Sequence, residues 1–372
     1  MRVLYLTMNP NRASTTAPTE GWFRLLRSQG LEPVLVSATL GDFHRWACEQ
    51  QIPSFHIPLH HPSKTRPWPF FNSLWRLRRL VKEYGIQLIH CNEQDVYPIG
   101  QYLGRVTGLP VVVSVHFRMP PDLCRWAFSG RRRPRRMFFV SRSNQEACRP
   151  GLIGVVPDAD WRVLYNGIDL DRMKPEPSRR SAFRQAHGVA DDELAIGAAC
   201  ALSPRKQIEH LFQAAAQMTM RRKVRVFVAG GAVGGGEVYV EQLLQSGRTL
   251  LGERFTHLGH LNDLRDFNNG LDIAVNTSKE EAFSISVLEA LACGCPVVGY
   301  PSKSVDESIL PLGGEIVDQD SIPALVGALD EWAQDPTRLR ACRASARRQA
   351  ENLGDIRKAA AQLWTEYQQL AG

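Results

Sequence analysis

The chain predicts an α/β protein made of two parallel-sheet halves, and three observations predict it. Short apolar runs alternate with longer segments of helical periodicity along all 372 residues. The alternation restarts after Asp158–Pro177, a Pro- and charge-rich stretch that reads as a hinge. Charge also differs between the halves. Residues 1–150 carry 21 Lys and Arg against nine Asp and Glu, whereas the remainder is mildly acidic.

In the first half, Arg2–Thr7 reads as a strand, because its apolar side chains form a run that turns polar at Asn9–Arg12. That pattern fits a first strand, not a signal peptide. Glu20–Gln29 reads as a helix ended by Gly30, and Pro33–Ser37 as the next strand. In Phe70–Tyr84, residues Phe70, Leu74, Leu77 and Val81 recur at helical spacing and Gly85 caps the end. Ile86–Cys91 and Pro110–His116 are expected strands around a helix at Tyr97–Val106, followed by a strand at Met137–Val140.

The second half repeats the scheme. Strands are expected at Leu194–Ala201, Val224–Ala229, Phe255–Leu258, Ile273–Thr277 and Pro296–Gly299. Helices are expected at Ile208–Gln217, Tyr239–Gln245, Ser284–Cys293, Ile322–Ala333 and Thr337–Asn352, with a last one at Asp355–Leu370. The expected division is 1–164, 165–353, and a terminal helix, 354–372, that returns to the first domain.

Composition excludes several classes. With 44% hydrophobic and 22% charged residues the chain resembles an ordinary globular protein, and no apolar run reaches 18 residues. The eight cysteines form no C-x-x-C pair, which fits buried thiols in a reducing cytoplasm. Cys293-Gly-Cys295 lacks a second ligand pair, so no metal site is expected. Asn9-Pro-Asn-Arg-Ala-Ser after the first strand is no dinucleotide fingerprint, which argues against an oxidoreductase. The run Gly230–Gly236 ends in Glu237 and lacks the Lys-Ser/Thr of a phosphate-binding P-loop.

One stretch carries the chemistry. Glu281-Ala-Phe-Ser-Ile-Ser-Val-Leu-Glu289 sets one carboxylate before a helix and a second about two turns inside it, and Gly294 ends that helix before a buried strand. A helix N-terminus presents unpaired N–H groups and attracts anions. A helix starting near Ser284 would turn the amides of Ser284–Val287 toward a diphosphate. On spacing alone a plainer account stands: Glu281 complements the helix dipole and Glu289 is a solvated helix residue.

The surrounding pattern decides between them. Leu271–Glu307 resembles the donor-binding segment of the retaining GT4 glycosyltransferases, down to Asn276-Thr-Ser-Lys-Glu280 and Pro301-Ser-Lys-Ser-Val-Asp-Glu307. Tyr165-Asn-Gly-Ile-Asp-Leu-Asp171, Val226–Gly231, Thr256–His260, Leu88–Cys91 and Val113–Phe117 extend the resemblance over essentially the whole chain. It implies a GT-B fold, two Rossmann-like domains facing each other across a cleft. The N-terminal domain would take the acceptor and the C-terminal domain a nucleotide-sugar donor, which is a substrate; no cofactor is implied.

The resemblance also implies residue roles. Glu281 contacts the transferred sugar, Glu289 the ribose, and His116 approaches the sugar. Lys206 holds the diphosphate. Phe283, Ser284, Ile285, Gly231, Asn166 and Glu20 fall at further substrate-binding positions. Two departures stand out. The family's clamp arginine position is Ala201 in Ala199–Lys206, with Arg205 next to Lys206. The glycine-rich loop after the first strand reads Thr15-Thr-Ala-Pro-Thr-Glu-Gly21, retaining Glu20 and Gly21 but adding Pro18. The expected function is retaining, metal-independent hexosyl transfer to a glycan or lipid-linked acceptor, in cell-envelope or polysaccharide biosynthesis. The departures motivate a rival, a nucleotide-sugar-binding partner subunit with little or no catalysis.

Arg131-Arg-Arg-Pro-Arg-Arg136, with Trp68, Trp75, Arg76, Arg78, Arg79 and Lys82, makes the first half basic and aromatic. No nucleic-acid motif accompanies this charge. A solvated loop and a peripheral contact with anionic lipid both fit it, the latter at the inner face of the membrane.

Overall fold

The computed structural model describes residues 1–9, 11, 15–63, 65–129, 133–219 and 224–371. It divides the chain into two units, one of Met1–Gly167 with Ile356–Gly372 and one of Ile168–Asp355.

The first unit is a seven-stranded parallel sheet. Its strands are β1 (Arg2–Thr7), β2 (Glu32–Ser37), β3 (Ser54–His56), β4 (Leu88–Cys91), β5 (Val111–Val115), β6 (Arg136–Phe139) and β7 (Trp161–Val163), in the order β3-β2-β1-β4-β5-β6-β7. Parallel strands must be covered on both faces, which explains their continuous apolar runs such as Val-Val-Val-Ser-Val in β5. On one face lie α3 (Pro67–Glu83), α4 (Tyr97–Thr107), α5 (Pro121–Phe128) and α6 (Arg142–Leu152). On the other lie α1 (Ala17–Leu26), α2 (Asp42–Glu49) and α15 (Ile356–Ala371).

The last helix is tied to this sheet by polar as well as apolar contacts. Leu363 and Tyr367 are fully buried beside Val3, Tyr5 and Phe138. The Tyr367 hydroxyl pairs with Tyr5 at 2.8 Å and with His90 Nδ1, while His90 Nε2 meets Ser114 Oγ at 2.8 Å. Burial pushes His90 down to about 3, so it is neutral at physiological pH. Glu366 accepts from Arg136 at 2.6 Å and from Arg162, and Arg136 also reaches Asp160 at 3.0 Å.

The second unit is a six-stranded parallel sheet. Its strands are β8 (Leu194–Ala199), β9 (Val224–Ala229), β10 (Phe255–His257), β11 (Ile273–Asn276), β12 (Val297–Gly299) and β13 (Gly314–Ile316), ordered β10-β9-β8-β11-β12-β13. Helices α8 (Ile208–Gln217), α9 (Glu237–Leu251) and α13 (Ile322–Gln334) pack in one core. A second group comprises α7 (Pro177–Ala186), α10 (Arg265–Gly270), α11 (Ile285–Ala292), α12 (Val305–Ile309) and α14 (Pro336–Leu353), in which α11 and α12 meet the strands and the others pack on neighbouring helices. Asp272, at the start of β11, accepts from Arg184 at 3.0 Å, Arg180 at 2.6 Å and the Ala195 amide at 2.8 Å, fixing α7 to the sheet.

In both sheets the strand order reverses beside the first strand of the unit, between β1 and β4 and between β8 and β11. Such reversals leave a crevice at the carboxyl ends of the strands, where ligands of open α/β sheets bind.

Every strand expected from sequence is present, shifted by no more than two residues at either end. Several elements were not expected: β3, β7 and β13, and α2, α5, α6, α7, α10 and α12. The strands among them have three residues each, and β3 and β13 have no fully buried residue, so no apolar run announces them. Helix α6 (Arg-Ser-Asn-Gln-Glu-Ala-Cys-Arg-Pro-Gly-Leu) is too polar to show a helical stripe. The expected hinge Asp158–Pro177 is in part structural, because β7 lies inside it and completes the first sheet. Thr15–Gly21 is not an open loop either. Helix α1 starts at Ala17, and Pro18 sits in its first turn, where the missing N–H has no intrahelical acceptor to lose. Among the described residues, no helix is long and apolar enough to cross a membrane, and no group of three or more His, Cys, Asp or Glu is arranged to hold a metal ion.

The Glu366 pairing predicts a measurable anchor. Glu366→Ala leaves the half-buried Arg162 without its acidic partner and Arg136 with Asp160 alone, and should cost about 3 kcal/mol of unfolding free energy, read by urea denaturation. An unchanged midpoint would mean that apolar packing alone holds α15.

Candidate active site

The second unit builds its site at the β8/β11 reversal. Strand β11 ends at Asn276, and the chain runs through Thr277–Glu281 before α11. Ser284 is the N-cap of that helix, and its hydroxyl accepts the Val287 amide at 3.5 Å. Gly294 stops it at φ +72, a backbone conformation that L side chains rarely adopt. After β8 the chain makes a tight turn, Pro204–Lys206.

The two segments are laced together. Thr277 Oγ1 donates to the Lys206 carbonyl at 2.8 Å, and the Lys279 amide donates to the Arg205 carbonyl at 2.9 Å. The loop after β12 holds Glu281 from the other side. The Glu281 amide donates to Ser302 O at 2.8 Å, and Ser304 Oγ donates to Glu281 O at 2.6 Å. Glu281 is therefore fixed in backbone position and only 7% exposed. Its carboxylate is paired with Lys206 Nζ and lies 3.5 Å from Arg205 Nη1, while Arg205 also donates to the Glu280 carbonyl. A carboxylate withdrawn from water needs such partners to remain charged.

Arg205 and Lys206 thus act on one acidic group, an arrangement that adjacency in sequence does not reveal. A small cavity of ≈ 30 Å³ opens beside them, bordered by Lys206, Asn268, Thr277, Ser278 and Ser286. Sequence reasoning missed Ser302 and Ser304. Their only signal was a serine-rich loop, and their role depends on the positive φ of Ser302 and Lys303, which folds the loop back on Glu281.

Glu289 sits farther along α11 and is not a freely solvated residue. Burial, opposed by Arg172 and reinforced by Asp263, pushes its carboxyl up to about 7. Arg172 itself pairs with Asp263 at 3.2 Å, and Arg265 holds Asp263 at 2.6 Å. Phe283 is buried, whereas Ile285 is half-buried at the first position of α11. Gly231 follows β9, and its carbonyl accepts the Leu202 amide at 2.9 Å.

The first unit has its own polar cluster at the β1/β4 reversal. Glu93, just past β4, is 3% exposed and accepts three bonds, from Thr7 Oγ1 at 2.7 Å, the Met8 amide at 3.0 Å and Asn92 Nδ2 at 3.0 Å. Burial outweighs these donors and pushes Glu93 up to about 7. Asn92 extends the network, accepting from Thr19 Oγ1 at 2.7 Å and donating to Thr15 O at 3.1 Å. His116 follows β5, and burial lowers it to about 4 while a bond to the Asn92 backbone opposes that shift. Its Nε2 is buried with no hydrogen-bond partner among the described residues. A neutral imidazole bonded on one side leaves its second nitrogen to a ligand. Glu20 is buried in α1 near this cluster's Thr15 and Thr19 in sequence, and Asn166 is buried with Oδ1 unpartnered. Sequence reasoning overlooked Glu93, because an isolated acid after a strand carries no pattern.

Comparison with known proteins follows the same division. Residues 22–172 match the model described as Glycosyltransferase Family 4, and residues 179–349 match the model described as Glycosyl transferases group 1. The chain belongs to the GT4-type glycosyltransferases. A D-inositol 3-phosphate glycosyltransferase of Geodermatophilus obscurus is 35% identical over 144 residues, 37% of this chain and 32% of that protein. An uncharacterized glycosyltransferase of Methanocaldococcus jannaschii is 28% identical over 65% of this chain and 64% of its own length. The chain thus spans less than two thirds of either relative. Anabaena HepE in complex with UDP superposes with a TM-score of 0.87 at 21% identity, with 100% of each chain covered, which fixes the fold as GT-B.

Two predictions arise from the buried acids. The folded-state value of Glu289 lies above its unfolded one, so its contribution to stability is present in acid and is lost as pH rises toward 7. Glu289→Gln should therefore raise the melting temperature at pH 8 and change it little at pH 5, a contrast that scanning calorimetry at the two pH values would reveal. Glu93→Ala strands the donors of Thr7, Met8 and Asn92 and should cost about 3 kcal/mol, measured by chemical denaturation; Glu93→Gln should recover part of that loss.

Proposed function

We propose that the chain is a retaining glycosyltransferase that moves a hexose from a nucleoside-diphosphate sugar to a glycan or lipid-linked acceptor, without a metal ion. The observation that carries this reading is the convergence of Lys206 and Arg205 on the Glu281 carboxylate, at the carboxyl end of β11 and ahead of the α11 N-terminus. HepE, the structural relative, has been crystallised with UDP and with UDP-glucose, which favours a donor of this class.

In this reading Lys206 changes partners. Without donor it neutralises Glu281. With donor, the diphosphate takes the ammonium, and the freed carboxylate accepts hydrogen bonds from sugar hydroxyls. Arg205 supplies the second positive charge that Ala201 cannot. Two cations and the N-terminal end of α11 would then stabilise the charge that grows on the leaving diphosphate. The anomeric carbon–oxygen bond to the diphosphate breaks, a bond to the acceptor hydroxyl forms on the same face, and the hydroxyl proton passes to the departing phosphate oxygen. Glu289 holds the ribose diol, and His116 Nε2 bonds the sugar. Phe283, Ile285, Gly231, Asn166 and Glu20 line the substrates. A role in cell-envelope or polysaccharide assembly, on the cytoplasmic side, follows from the acceptor class.

A second reading rests on Ala201: a subunit that binds nucleotide sugar without transferring it. The two separate in one experiment. UDP-, GDP- and ADP-sugars are screened by thermal shift and by sugar release. We expect one donor to stabilise the protein and to be hydrolysed slowly. Glu281→Ala should lower that turnover about a thousandfold while leaving a folded protein, and Arg205→Ala should weaken binding by about tenfold. Binding without any release in the presence of acceptor glycans would favour the non-catalytic subunit. No binding to any donor would overturn both readings.

A further inference from the structure

One helical layer of the first unit carries an unusual surface. Five Trp and Phe side chains are exposed among the described residues, and all five belong to that layer or the loop that leads into it: Trp68, Phe71 and Trp75 on α3, Phe117 before α5, and Trp126 on α5. Trp68 is 79% exposed and Trp75 61%. The layer itself is well packed. Phe70 of α3 meets Tyr102 of α4 edge-on at 5.2 Å, and Tyr97 of α4 meets Phe128 of α5 at 4.8 Å, so the helices lie side by side over the same sheet face. The exposed rings are therefore not loose ends of a poor core. Helix α3 buries Phe70, Ser73, Leu77, Leu80 and Val81 on one side and turns Trp68, Phe71 and Trp75 outward on the other.

The charge on that outward side is positive. At 3.6 residues per turn, Arg78, Arg79 and Lys82 continue the stripe begun by Trp68, Phe71 and Trp75, and all three are exposed. The only acid of α3 is Glu83, at its last position. Arg133 and Arg135 add exposed charge beyond α5, while Arg131 and Arg132 of the basic run lie outside the described residues. Arg125 of α5 is offset by Asp122 at 2.6 Å. A helix whose exposed face is aromatic toward one end and cationic toward the other fits the boundary between lipid headgroups and acyl chains. Indole rings partition there, and ammonium and guanidinium groups pair with anionic headgroups. A second copy of the chain fits less well, because a two-fold contact through this face would gather Arg78, Arg79 and Lys82 of both copies in one interface, with Glu83 the only acid that α3 brings.

We infer that the outer face of α3, with Trp126 of α5, is a docking surface for anionic lipid bilayers, with Trp68, Phe71 and Trp75 entering the interface and Arg78, Arg79 and Lys82 binding headgroups. This surface is separate from the donor residues, so the inference stands or falls apart from the proposed reaction. The test is sedimentation of the full chain with vesicles of phosphatidylcholine alone or mixed with phosphatidylglycerol. The expected result is binding to the mixed vesicles only, weakened by salt, since each basic residue near such a surface is worth about a fivefold gain in partition. Trp68→Ala with Trp75→Ala should lower partition by at least about tenfold, and Arg78→Glu with Arg79→Glu should abolish it. All four positions are exposed, so the variants should melt as the parent does and respond equally to nucleotide sugar. Equal partition of the parent and the double tryptophan variant would overturn the inference, as would failure of the parent to bind mixed vesicles. A solution dimer that the same tryptophan substitutions dissociate would also overturn it, assigning the face to a second copy.

Discussion

A carboxylate taken out of water beside a lysine is the constraint on which the second unit's site depends. Glu281 can be buried only because Lys206 and Arg205 meet it, and those cations can meet it only because the turn carrying them is bonded to the strand end that carries Glu281. The serine loop after β12 completes the enclosure by taking up the Glu281 amide and carbonyl. Three separate connections, after β8, β11 and β12, are needed to hold one acid. All three leave the same edge of a parallel sheet, which is why a parallel sheet suits the task.

The first unit solves a related problem with neutral donors. Among the described residues Glu93 has no cation as a hydrogen-bond partner, and the three donors from Thr7, Met8 and Asn92 do not fully offset its burial. The same network reaches Thr15 and Thr19, so the acid joins the end of β4 to the start of α1. His116 shares Asn92 through its backbone. Rigidity at this edge is thus communicated through a single asparagine that bonds on both its side chain and its main chain.

Much of this was legible in the sequence where a residue's role follows from its neighbours along the chain. Ser284 as a helix cap, Gly294 as a helix stop and the apolar strands around them depend on local periodicity and turn chemistry, and they are present as expected. The paired acids and the family resemblance pointed to the segment whose Glu281 the structure pairs with Lys206 and Arg205. The sequence was silent where roles depend on residues brought together from afar. Arg205 was placed among the substrate-binding residues beside Lys206, but its relation to Glu281 spans 76 residues and no local pattern shows it. Glu93 drew no reading at all, because nothing local says that Thr7, 86 residues away, will donate to it. For Glu289, helical spacing alone could not separate a solvated residue from a ribose contact, because spacing does not reveal what covers a face; only the resemblance favoured the ribose. Short edge strands such as β3 and β13 escaped for a different reason: three half-exposed residues bury too little to leave a hydrophobic signature.

The terminal helix has a consequence for how the protein is made. The first unit is assembled from both ends of the chain, with the entire second unit inserted between its parts. A ribosome therefore releases the segments of the first sheet long before the residues that cover one of its faces. Until Leu363 and Tyr367 emerge, the apolar patch around Val3, Tyr5 and Phe138 is covered by α1 and α2 without α15, and Tyr5, His90 and the arginines at 136 and 162 lack the partners that α15 supplies. The second unit is contiguous and can mature as soon as it is synthesised. Biogenesis thus proceeds against the order of the sequence, with the part made first being the last to close.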